Sequence, residues 1–141
     1  MRKITPFWVR QTISPKSYLR RRSILGHHFY GEVGQDLMVL LCTNFKKNGV
    51  FVEFGSADPI SNNNTFLLEK NYNYRGIAFE FDKNYARAYN MKRKSKCYQG
   101  DATKLNLSDL LEHEMINQID FLQVDLSPPE TTFEVLKNFP F

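Results

Sequence analysis

The chain has 141 residues, with 42% apolar, 14% aromatic and 24% charged side chains and a formal charge of +4. This is ordinary globular composition, enough for one domain with a real core, and it excludes disorder along the whole length. No apolar run approaches the ~18 to 20 residues of a membrane span, no apolar leader precedes a small-residue cleavage site, and two cysteines, Cys42 and Cys97, make no disulfide framework or zinc site. A reducing, cytoplasmic setting is expected.

The charge is unevenly placed. Residues 1–30 carry seven basic residues and no acidic one, whereas residues 31–141 carry 12 basic and 15 acidic ones. The chain therefore divides into a basic N-terminal arm, 1–30, and a folded domain, 31–141. A solvated leader is the simpler reading of the arm; contact with phosphates of nucleic acid or lipid is the other. His27 and His28 lack a matching carboxylate or cysteine pattern, so no metal site is expected.

In chain order, Asp36 precedes Leu37-Met38-Val39-Leu40-Leu41, which predicts a capped helix ended by Asn48-Gly49. Val50 to Phe54 is β-branched and aromatic, a buried strand running into a turn at Gly55. Thr65 suits the N-cap of a short helix over Phe66 to Glu69. Gly76 to Phe81 predicts a second strand. Asp82 caps a helix over 83–93, with Tyr85, Ala88 and Tyr89 at helical spacing. Lys96 to Gln99 is a third strand. Ser108 caps a helix over 109–115, Ile119 to Leu126 is a fourth strand, and Thr131 to Asn138 a last helix after Pro128-Pro129.

Such alternation predicts an α/β, Rossmann-like fold. The expected sheet is parallel, in the order 3-2-1-4, with helices on both faces. The most apolar strand, 50–54, is central, right-handed crossovers put strands 2 and 3 to one side, and strand 4 lies at an edge. That edge is expected to favour self-association.

Ligands of such sheets bind beyond the carboxyl ends of the strands. Each strand here has an acid at or just past that end: Glu53 with Asp58, then Glu80, Asp101 and Asp125. A charge beside a buried strand is costly unless paired or solvated at a cleft, so four together suggest a site. Gly55 lets backbone approach a ligand. Glu53 could accept from an ammonium group, and Asp101 from an exocyclic adenine amine. Glu80 follows Gly55 by 25 residues, near the ~20-residue spacing of a ribose-binding acid. Asp125 sits where a substrate would meet a cofactor. Asp36 and Asp82 are more simply helix caps, and Asp58 a turn residue.

Three segments in this order, Phe51-Val52-Glu53-Phe54-Gly55-Ser56-Ala57-Asp58, Asn64-Thr65-Phe66-Leu67-Leu68-Glu69 and Gly76-Ile77-Ala78-Phe79-Glu80, are similar to the FkbM family of S-adenosylmethionine-dependent methyltransferases. Asp120 to Leu126 resembles that family's later D-x-L-x-x-D strand, and the similarity spans roughly 32–138. The resemblance implies that Glu53 and Gly55 hold the methionine end of S-adenosylmethionine, with Ser56 and Asp58 in the same cofactor-binding set. It implies that Glu80 binds the ribose hydroxyls, that Asp101 sits by the adenine, and that Asp125 lies at the reaction mouth as the catalytic candidate. Pro59 stands where the family has glycine, and Ser127-Pro128 where it has Glu-Gly. Family sheets have seven strands, against four here, so a C-terminally truncated domain is expected.

The activity so implied is O-methylation of a sugar or another small hydroxyl compound. Ser127-Pro128-Pro129 also echoes the loop of amino-methyltransferases, which with the basic arm gives nucleic-acid methylation as the alternative, although Glu130 replaces the base-stacking aromatic. A cofactor-binding module without turnover is the non-enzymatic reading.

Overall fold

The computed structural model describes residues 28–140; the basic arm up to residue 27 lies outside the described residues. Among the described residues four strands, β1 (Val50–Phe54), β2 (Arg75–Glu80), β3 (Lys96–Gln99) and β4 (Phe121–Val124), alternate with five helices. The helices are α1 (Gln35–Cys42), α2 (Phe66–Tyr72), α3 (Lys83–Lys92), α4 (Leu107–His113) and α5 (Pro129–Asn138), and a 3-10 turn spans Ala102–Lys104. The strands pair in the order β3-β2-β1-β4, all parallel, as expected. Central β1 is buried along its whole length, which is what a parallel strand covered on both faces requires.

Side chains alternate along each strand, so the sheet builds two cores. On one face Val50, Val52, Phe54, Ile77 and Phe79 pack with Leu107 and Leu111 of α4 and Val135 of α5. The Phe54 and Phe79 rings stack there at 4.5 Å. On the other face Phe51 packs with Val39 and Leu40 of α1 and Leu67, Leu68 and Tyr72 of α2. Ala78 and Cys97 meet Ala86 and Tyr89 of α3 on that same side. Phe29 joins the second core, and Tyr30 stands edge-on to Phe66 at 4.6 Å. The last residues of the basic stretch are thus part of the packed unit. Among the described residues no helix is long and apolar enough to cross a membrane.

Local departures from the expected elements have physical causes. Helix α1 stops at Cys42, before Asn48-Gly49, because Asn44 and Phe45 take positive φ. Phe45 then donates its N–H to Leu40 O at 2.7 Å and tucks its ring into the second core. Asp36 does not cap α1 from in front; fully buried inside the first turn, it accepts from the N–H groups of Tyr30 and Gly31 at 2.7 and 3.1 Å. It fixes the entering chain instead.

Thr65 does not cap α2 with its hydroxyl either. Asn63 Oδ1 takes the N–H groups of Thr65 and Phe66 at 3.0 and 2.8 Å, which frees the hydroxyl for Glu53. Helix α4 begins at Leu107 under an Asn106 cap rather than a Ser108 cap. Asp82 caps α3 as expected, accepting from Asn84 and Tyr85 N–H. Strand β4 is shorter than Ile119 to Leu126: Asp120 turns its carboxylate on Val50 N–H and Lys46 Nζ at 2.9 and 2.7 Å.

Candidate functional site

A cavity of about 280 Å³ opens at the carboxyl ends of β2 and β3, beside the segment that follows β4. Glu80 and Phe81 form one wall, Gly100, Asp101 and Ala102 a second, and Leu126, Ser127, Pro128 and Thr131 a third. This is the edge at which doubly wound sheets take ligands, beside the turn in strand order between β1 and β4.

Glu80 and Asp101 are brought together here, as their strand-end positions require. Glu80 accepts from Ala57 N–H at 2.8 Å through one oxygen and from Asp82 N–H at 2.9 Å through the other. A carboxylate has about four acceptor positions, so among the described residues two remain on Glu80, the number a vicinal diol needs. Asp101 accepts from the N–H and hydroxyl of Thr103 and pairs with Lys104 at 3.0 Å. Thr103 and Lys104 hold its carboxyl below the usual aspartate range, so it stays an acceptor at neutral pH.

Asp125 is exposed at the end of β4, one residue before the cavity wall begins at Leu126. Its N–H donates to Phe54 O at 3.1 Å, which ties the carboxyl ends of β1 and β4 together. Gly55, at φ 77°, explains the closeness: a Cβ there would stand 2.1 Å from Asp125 O. The glycine therefore makes room for a neighbouring strand.

The other expected cofactor residues are turned elsewhere. Asp58 accepts from the N–H groups of Ile60 and Ser61 at 2.9 and 2.7 Å, which is its turn reading. Ser56 is buried, its hydroxyl 3.8 Å from Cys97 Sγ. Burial pushes that thiol up to about 12, so Cys97 is unreactive at neutral pH.

Glu53 is fully buried and has no face toward solvent from which to meet an ammonium group. Its carboxylate accepts from Asn63 Nδ2 at 3.1 Å, Thr65 Oγ1 at 2.9 Å and Tyr89 OH at 3.4 Å. Burial drives its pKa up to about 7, against the nearby Arg93 charge and these hydrogen bonds, which pull it down.

Arg93 is the centre of this polar network. Its guanidinium is fully buried and donates to Glu69 Oε1 at 2.9 Å, Pro59 O at 2.9 Å, Asn63 Oδ1 at 3.0 Å and Thr65 Oγ1 at 3.0 Å. Its flat face lies 4.6 Å from the Tyr89 ring centroid, a cation–π contact. Glu69 in turn accepts from the N–H groups of Lys94 and Ser95. Burial pushes the Glu69 carboxyl up, but the bonds from Ser95 and Arg93 outweigh it and leave it lower than usual.

Comparison of the chain with family models, curated proteins and solved structures finds no match.

Sequence reasoning missed Arg93, Asn63 and Tyr89 as a unit. Arg93 stands in the run Lys92-Arg93-Lys94, which reads as solvated charge. One signal was available: Ala86, Tyr89 and Arg93 follow at spacings of three and four, the buried stripe of α3. Among the described residues no cluster of His, Cys, Asp and Glu is grouped to hold a metal ion; His27 lies outside them, and His28 stands edge-on to Tyr30 at 5.7 Å.

Proposed function

We propose that the chain is an S-adenosylmethionine-dependent methyltransferase acting on a hydroxyl of a sugar or another small compound, with the cofactor's adenosine in the strand-end cavity. The observation that carries this reading is the Glu80 carboxylate in the cavity wall, fixed by two backbone N–H groups and keeping two acceptor positions. The order of sequence segments shared with the FkbM family supports it. The cavity volume of about 280 Å³ is near the lower end, about 300 Å³, of small-molecule sites. The cavity would take the adenosine part of the cofactor, with Glu80 and Asp101 as the acceptors that would hold it.

S-adenosylmethionine, when bound, supplies an electrophilic methyl group. The chain's own task is then placement and proton removal. Glu80 would hold the ribose hydroxyls as acceptor, and Asp101 would accept from the adenine amine. Asp125, exposed beside the cavity wall, takes the proton of the acceptor hydroxyl. Glu53, Gly55, Ser56 and Asp58 hold no ligand in this reading; Asn63 bonds to Glu53 and Ser56 O, and Asp58 to the N–H groups of Ile60 and Ser61, which shapes the loop whose Ala57 N–H orients Glu80.

Calorimetric titration of the full chain with S-adenosylmethionine and with its demethylated product tests the reading. Binding is expected. Glu80→Ala is expected to weaken it by about 1–3 kcal/mol, the cost of ligand hydroxyls left unpaired on burial. Absence of binding by the parent chain would overturn the cofactor assignment, and unchanged affinity in Glu80→Ala the ribose assignment.

A further inference from the structure

We infer that the outer face of α3 and the linker after it form a binding surface for the phosphate backbone of single-stranded nucleic acid. The inference does not depend on the methyl-transfer reading. It begins from where charge lies on the folded unit. Residues 83–96 hold six basic side chains and no acidic one, while the other described residues hold six basic and 15 acidic ones. An acidic body thus carries one concentrated basic stripe.

Two of the six cations are spent internally: Arg93 on Glu69 and Lys96 on Glu114. The N–H groups of Ser61 and Ile60 hold the Asp58 carboxyl low, and the charge of nearby Lys92 adds to this. Lys83, Arg87 and Lys94 are exposed and form no salt bridge among the described residues. Lys83 and Arg87 are one helical turn apart, so they share a ridge, and Met91 continues it toward Lys94. The buried stripe, Ala86 and Tyr89, faces the sheet and fixes this ridge outward.

Large apolar side chains are exposed around these cations: Met91, 75% exposed, lies on the ridge of Lys83 and Arg87, Tyr85, 47%, on the other flank of the helix in line with Lys92, and Phe81, 73%, just before the helix at the cavity wall. Cations that track a backbone, interleaved with exposed aromatic rings on which bases stack, are the two components of single-strand recognition. A lipid surface fits less well. A helix lying in a membrane interface needs a broad apolar face, and the apolar side of α3 is already taken by the sheet.

The test uses the full chain and a fluorescein-labelled oligothymidylate of about 16 nucleotides, the upper end of common single-strand site sizes, read by anisotropy across a salt series. The variant Lys83→Gln/Arg87→Gln/Lys94→Gln alters only exposed side chains. A control, Lys47→Gln/Lys70→Gln/Lys137→Gln, removes the same charge from elsewhere on the exposed surface. The parent is expected to bind. The α3 variant is expected to bind at least tenfold more weakly and to lower the salt slope by about 2, three cations at ~0.7 each; the control is expected to keep the parent's slope. Equal behaviour of the two variants overturns the inference, whether both lose binding through net charge or both keep it through the basic arm. Binding by the parent only to phosphatidylserine vesicles, or a salt-sensitive self-association in sedimentation without oligonucleotide binding, overturns it as well.

Discussion

Arg93→Met is expected to lower the unfolding free energy by about 3–5 kcal/mol, the usual result of removing one partner from a buried ion pair. The residue is fully buried and gives hydrogen bonds to Glu69, Pro59, Asn63 and Thr65. Its loss leaves Glu69 charged and buried, and it withdraws the charge that partly offsets the burial of Glu53. A domain is stable by only about 5–15 kcal/mol, so this substitution is among the most damaging available. Urea unfolding followed by circular dichroism measures it. Arg93→Lys is expected to recover little, because a point charge cannot reproduce a planar fork with several fixed donors. Arg93→Met combined with Glu69→Leu is expected to be milder than Arg93→Met alone, since no charge is left buried without its partner. A loss under about 1 kcal/mol in Arg93→Met would show that the network is not a principal support of the fold.

The second large effect is one of pH. Glu53 has an ordinary carboxyl value of 4.5 in the unfolded chain and about 7 in the folded one. The folded state therefore holds this proton more tightly. Its contribution to stability is fully present below pH 4.5, declines as pH rises, and is lost above about 7. At 1.36 kcal/mol per unit, the contribution amounts to about 3 kcal/mol. Glu53→Gln is expected to hold the neutral form at every pH. Its amide nitrogen can donate to the Thr65 hydroxyl, which can then donate to Asn63 Oδ1 at 3.0 Å. Glu69, Asp58 and Asp120, whose values are lowered, act in the opposite sense at more acid pH. The informative quantity is thus the difference between Glu53→Gln and the parent, which should grow from pH 4.5 to 7 in favour of the variant. A difference that is flat across this range would refute the raised value.

The strand order was legible because each strand announces itself by apolar and β-branched runs and each crossover by a glycine or a cap. Val50 to Phe54 is apolar on both sides of its alternation apart from Glu53, which marks it as central. Glu80 and Asp101 were legible for a topological reason: parallel strands deliver their carboxyl ends to one edge, so acids at those ends meet. Glu53 has the same sequence context and a different fate, because its side chain points to the face where Tyr89 and Asn63 enclose it. Strand-end position does not tell which way a residue points once the strand enters its turn. Asn63 and Thr65 exchanged their expected tasks for a related reason. Capping depends on which nearby oxygen is free, and Thr65 was drawn to a buried carboxylate 12 residues earlier in the chain. Gly55 was legible as a close approach, but the group that approaches it, Asp125 O, belongs to a strand 70 residues away.

The Arg93 guanidinium draws together three stretches that are separate in sequence: the loop at Pro59 and Asn63, the head of α2 at Thr65, and, through Glu69, the α3–β3 connection at Lys94 and Ser95. None of these stretches can open without exposing the same buried charge. They therefore behave as one cooperative unit rather than as independent loops. The segment that orients Glu80 through Ala57 inherits this stiffness. The rim of the cavity on that side is preorganised: a ligand arriving there finds the acceptor already aimed and loses little conformational entropy of the protein on binding.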